Sequence, residues 1–148
     1  FIYDKLLGKK LPEPAYSAGL LHNIGVIFML SCYAKKYLDL HIKAEKDKLN
    51  IIELEREVFN VTHQETGGYL LDWWDIPFPI VESALYHQQP IDDRIVNKEL
   101  VAAVHIAQKY AWNLLTDECQ IDFYEETFFI IGLSKDVFEK KLKEISIS

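Results

Sequence analysis

Five side chains have types and positions that could form a site: His22, Asn23, His63, His87 and Gln108. Imidazoles bind borderline metals as neutral ligands and carry protons near neutral pH. Amides donate and accept hydrogen bonds, but they offer a metal only a neutral carbonyl and cannot act as a base. Hydrolytic metal sites combine imidazoles with ionised carboxylates, and the ion lowers the pKa of its bound water. A His-Asp pair at 22–23 would fit that chemistry, but the pair here is His22-Asn23. Glu53, Glu55 and Glu57 alternate along a charged stretch and read as a solvated face with no acid–base partner. No Gly-rich phosphate loop and no Ser-His-Asp or Cys-His order is present. No catalytic residue is therefore assigned, and no metal or other cofactor is expected. If a metal is held, its ligands are His22, His63 and His87. The amides of Asn23 and Gln108 can instead satisfy the imidazole nitrogens and each other in a closed, dry network.

The elements that must position these residues read as helices. Pro12 and Pro14 open the first, because proline suits a first turn and not a helix interior. Ala15–Ala34 is apolar throughout except at His22-Asn23. Leu38, His41 and Ile42 fit a short helix or turn, and Leu49, Ile52, Arg56 and Phe59 are helically spaced. Thr62 and Glu65 have the spacing of a capping box, starting a helix through Tyr69, Leu70 and Trp73 that "DIPFP" ends. Pro79 starts the next helix, which stops at "YHQQP". A loop then leads to a long helix over about Asn97–Thr116, with Val101, Val104, Ala111 and Leu115 on one stripe and Gln108 pointing inward. After the link "DECQID", two last helices meet at "GLSKD", with Gly132 as C-cap and Ser134 as N-cap. No alternating strand pattern is present. The chain reads as all-α, a compact multi-helix bundle forming a single domain over residues 1–148. Gly67-Gly68 fits close helix packing, and Trp73, Trp74 and Trp112 fit core or partner-facing anchors.

Bulk properties narrow the function classes. A net charge of −7 argues against nucleic acid as a partner, since phosphate binding needs a local excess of Lys and Arg. Lys140, Lys141 and Lys143 are interrupted by acids and read as a solvated helix face. Cys32 and Cys119 form no CxxC and read as two reduced, buried small hydrophobes of a cytoplasmic protein. The chain starts with Phe1 rather than Met, as a fragment or excised domain would. Ala15–Ala34 is about as long as a bilayer span. Two polar side chains near its centre would be costly in lipid. A helix enclosed on all sides by other helices is the better reading, and no membrane association is expected.

Four stretches in order, "GLLHNIG", "EREVFNVTHQETGGYLLDWWDIP", "YHQQP" and "VAAVHIAQKYA", resemble the HDOD domain, the HD-related output domain of bacterial signalling proteins. The resemblance runs from about Ala18 to Ala111, and "FIIGLSKDVFEKKLKEI" is similar to the family's closing helices. It implies that the chain is the C-terminal, HD-like part of such a domain, without the family's N-terminal helices. Within the wider HD superfamily, metal-dependent phosphohydrolases carry an early His, a His-Asp pair and a late Asp. Here no histidine precedes His22, Asn23 stands for the pair's acid, and Gln108 stands for the late one. The resemblance thus implies a degenerate metal site and a non-catalytic regulatory domain of a bacterial signal-transduction protein. Its partners would be proteins of a signalling pathway, and a homodimer is compatible with it. The rival readings are a divergent metal-dependent phosphohydrolase acting on a nucleotide or cyclic dinucleotide, and a small-molecule sensor using the same polar cluster.

Overall fold

The computed structural model describes residues 2–116 and 124–146. Among them lie a short π-helical segment, Ile2–Leu6, and eight α-helices. These are α1 (Glu13–Leu21), α2 (Ile24–Asp47), α3 (Ile51–Phe59), α4 (His63–Trp73), α5 (Phe78–Tyr86), α6 (Lys98–Thr116), α7 (Glu125–Ile130) and α8 (Lys135–Ser146). The described residues contain no strand, so the chain is all-α, as its pattern predicts.

Local chemistry sets most boundaries. Pro12 is the N-cap of α1, with Pro14 in its first turn. Asn50 caps α3 by accepting from Ile52 N at 2.9 Å. At α4 the capping box is complete, with Thr62 Oγ1 accepting from Glu65 N and Glu65 accepting from Thr62 N. Gly132, at φ 75°, follows the last residues of α7, and Ser134 Oγ accepts from Val137 N at the start of α8. The link "DECQID" and Cys119 lie outside the described residues, as does the Leu115 side chain.

Helix α6 is the centre of the bundle. From Leu100 to Ile106 every residue is buried, because the helix faces two cores. Ala102, Ala103 and Ile106 pack with Ile2, Tyr3, Phe128, Ile131 and Phe138. Leu100 and Val104 pack with Ala18, Leu71, Ile80, Val81 and Ala84. Helix α4 lies across α2 and α5 at very short range. A Cβ on Gly25 would meet the His63 carbonyl oxygen, and one on Gly68 would meet the Leu85 side chain. Gly25 lets α2 close on the start of α4 at His63, and Gly68 lets α4 close on α5, which His87 caps.

Three expectations are corrected. Ala15–Ala34 is not one enclosed helix: α1 ends at Leu21, α2 starts at Ile24, and Tyr16, Leu20, Ile27 and Phe28 are exposed. The reason is that α1 packs mainly on α5 and α6 and α2 mainly on α4 and α3, leaving an outward side on each. Leu38, His41 and Ile42 do lie on a helical run of their own: α2 breaks at Ala34 (φ 42°, ψ −117°), where two helices meet at a kink, and the second runs on to Asp47. Cys32 is exposed on the outer side of α2 instead of buried. Trp73, Trp74 and Trp112 are all more than half exposed, which removes the core alternative for them.

Candidate functional site: a buried imidazole cluster

Two of the five sequence-selected residues are helix C-caps. His22 follows the last residue of α1, and its Nδ1 lies 2.8 Å from Gly19 O. His87 follows the last residue of α5, and its Nδ1 lies 2.9 Å from Ala84 O. The last four carbonyls of an α-helix lack intrahelical donors, and a side chain at the cap can supply one. A carbonyl oxygen only accepts, so in both rings Nδ1 carries the proton.

The end of α5 receives donors from three helices. His87 itself reaches Ala84 O, Gln64 Nε2 of α4 donates to Leu85 O at 3.0 Å, and His105 Nδ1 of α6 donates to His87 O at 2.7 Å. Gln64, His87 and His105 are all buried, so each bond also satisfies a polar side chain that would otherwise be costly to enclose.

His63 starts α4 and is held from the other direction. Its backbone N and its Nδ1 both bond the Glu55 carboxylate, at 2.9 Å. Tyr37 Oη of α2 donates to the same carboxylate. Glu55 is fully buried, which corrects the reading of Glu53, Glu55 and Glu57 as a uniformly solvated face. Burial alone would raise the Glu55 pKa, but the bonds from His63 and Tyr37 outweigh it and hold the carboxyl below its ordinary value. The Tyr37 hydroxyl is pushed far up by burial and by the adjacent carboxylate.

The three rings meet. His22 and His87 are edge-to-face with centroids 5.0 Å apart, and His63 and His87 are 5.6 Å apart. Desolvation lowers the pKa of His22, aided by the neighbouring His63, and lowers that of His87 well below the ordinary value, aided by both other imidazoles. Burial lowers His105 to about 4. At neutral pH, His22, His87 and His105 are therefore neutral, with Nδ1–H committed to a carbonyl and Nε2 left as an acceptor.

The closed amide–imidazole network is not formed. Asn23 Oδ1, Gln108 Oε1 and the Nε2 atoms of His22, His63, His87 and His105 are buried without a hydrogen-bond partner in the described chain. The physical reason is the demand of the helix ends and of Glu55. These take the ring protons, and the remaining atoms are nearly all acceptors, which cannot pair with one another.

A metal is what the HD-superfamily resemblance would place here, and the residues fit it poorly. The carboxylate bonded to the cluster, Glu55, reaches it through Nδ1 of His63 and not through an Nε2 atom. The two remaining positions, Asn23 and Gln108, are amides. Among the described residues no three His, Cys, Asp or Glu side chains are grouped as a metal would require.

Comparison with known proteins places this geometry. Residues 2–90 match the HDOD domain family. The chain belongs to the HDOD domain family. His22, Asn23, Glu55, His63 and His87 fall inside the HDOD match, whereas His105 and Gln108 fall beyond it. The match starts at residue 2, so the expectation that this is the C-terminal part of an HDOD domain is corrected. An uncharacterized protein of Treponema pallidum (strain Nichols) is 31% identical over 74 residues, which is 49% of this chain and 14% of the relative. The chain thus spans about a seventh of that relative's length. No solved structure matches the chain.

Proposed function

We propose that this HDOD domain is a non-catalytic regulatory or output module of a bacterial signal-transduction protein and acts through protein–protein contacts. The observation that carries the reading is that the site's ring protons are spent on the fold while no carboxylate stands among its unpaired atoms. The Nδ1 protons of His22, His87 and His105 cap helix ends, and that of His63 is held by Glu55. Asn23 and Gln108 stand where phosphohydrolases of the superfamily carry acids, so the cluster's unpaired atoms are all neutral acceptors and include no anionic ligand to hold a hard cation. On this reading the site is a degenerate HD-type centre turned into a brace between α1, α4, α5 and α6. The module is cytoplasmic and does not bind nucleic acid or membrane. One helical stretch, Glu13–Asp47, is long and apolar enough to cross a membrane by length and composition. His22-Asn23 and the bend at Ala34 interrupt it.

The rival reading, a metal-dependent phosphohydrolase, draws on the nearness of three imidazoles. A hydrolysis assay separates the two. The tag-free chain, supplied with Mn²⁺, Fe²⁺ or Zn²⁺, is incubated with nucleotides, cyclic dinucleotides and a chromogenic phosphodiester. Turnover no faster than that of His22→Ala is expected. Metal-dependent turnover lost in His22→Ala would overturn the proposal.

A further inference from the structure

The outward stripe of α4 and the turn after it differ from the rest of the surface. Tyr69 and Trp73 stand one helical turn apart and are 69% and 71% exposed. Trp74 (54%) and Phe78 (55%) continue the patch into α5. Single exposed apolar residues are ordinary, but four large exposed aromatics within ten positions are a concentration of the kind found where proteins bind. Among the described residues, no other ring or cation packs on these four.

The platform beneath them is rigid. The capping box fixes the start of α4, Leu70 and Leu71 are buried, and Gly67 and Gly68 seat the helix against Gly25 and Leu85. The turn is closed by Asp75 N→Asp72 O and Ile76 N→Leu71 O, both 3.0 Å, with Asp75 at φ 54°. Aromatic side chains on such a support lose little conformational freedom when they are covered.

Charge selects the occupant. From Glu57 to Asp93 the chain contains no Lys or Arg. Asp72 and Asp75 are exposed between the aromatics, and among the described residues neither has an ion-pair partner. An acidic aromatic surface repels phosphate, which disfavours nucleic acids and anionic lipid. It attracts guanidinium and ammonium groups through both ion pairing and the ring faces. We propose that Tyr69, Asp72, Trp73, Trp74, Asp75 and Phe78 form the docking surface for a cationic, Arg- or Lys-bearing segment of a partner protein. This rests on the protein-contact reading above and specifies its surface and the partner's chemistry.

The test is an NMR titration of the ¹⁵N-labelled chain with an arginine-rich amphipathic peptide and with its Arg→Glu counterpart. The indole N–H resonances of Trp73 and Trp74 shift with the first peptide, and that of Trp112 does not. Affinity falls about tenfold in Trp73→Ala, as for an aromatic hot spot. It also falls in the double variant Asp72→Asn, Asp75→Asn, which keeps the turn because asparagine tolerates positive φ, and it weakens as salt is raised. Equal shifts with the acidic peptide, or no shift with either, overturn the inference. So does sedimentation showing that a second copy covers the patch. Binding of the arginine peptide unchanged in both variants but lost in Leu20→Ala or Ile27→Ala on α1–α2 also overturns it, while leaving the protein-contact reading in place.

Discussion

The two ends of the α5–α6 connection solve the same problem with opposite chemistry. At the exit of α5, the unpaired groups are carbonyls, and neutral donors meet them: His87, Gln64 and His105. At the entry to α6, the unpaired groups are N–H donors, and a buried carboxylate meets them. Glu82 Oε1 accepts from Val96 N, and Oε2 accepts from Asn97 N and Asn97 Nδ2, at 2.7–2.8 Å. Glu82 at one end and His87 and His105 at the other are fully buried, so each depends on its pairing. The entry relies on a charged acceptor, the exit on imidazoles that stay neutral only while the pH stays high. Two of the domain's histidines are thus explained as caps before any catalytic role is considered.

Acid breaks the exit and has the largest effect. The folded-state pKa values of His22, His87 and His105 lie below the unfolded value, so the unfolded chain binds more protons between about pH 6.5 and 4. Stability is complete above that window and falls as the pH drops through it. The shift of His105 from 6.5 to about 4 corresponds to about 3 kcal/mol. Urea midpoints measured from pH 7.5 to 4.5 test this, and the slope is shallower in His105→Asn, which keeps a donor for His87 O without a titrating ring.

Glu82→Gln is the next largest perturbation. It removes the charge and turns an amide NH₂ toward backbone donors, which is expected to cost about 2 kcal/mol. A Glu82→Gln chain whose urea midpoint equals that of the wild type removes the comparison altogether.

Gln64→Ala is the smallest of the three. It leaves Leu85 O without its side-chain donor while His87 and His105 still hold the carbonyls on either side, for about 1 kcal/mol. A double cycle with His105→Asn tells whether the donors act independently or as one network.

Much of this arrangement is legible in the residues, and the gaps have physical causes. Thr62 and Glu65 announce the start of α4, and prolines announce α1 and α5, because these signals act over one turn. Glu55 was legible only by phase: it stands four residues from both Ile51 and Phe59, on the buried stripe of α3, yet the alternating glutamates around it resemble a solvated run. Glu82 lies inside a run that is buried on every side, where a carboxylate has no local partner and only the distant start of α6 explains it. The exposure of Ala15–Ala34 was hidden because apolar composition does not say which neighbours exist. The bend at Ala34 was hidden because no glycine or proline marks it.

The central claim is that the imidazoles of this HDOD domain brace helices and do not hold a catalytic ion. Isothermal titration of the tag-free chain with Zn²⁺, Mn²⁺ and Fe²⁺ at pH 7.5, read alongside elemental analysis of the purified protein, tests it most directly. The account predicts no stoichiometric ion in the purified protein and no saturable binding that His63→Ala or His87→Ala abolishes. One equivalent of tightly held metal, lost in those variants, would contradict it.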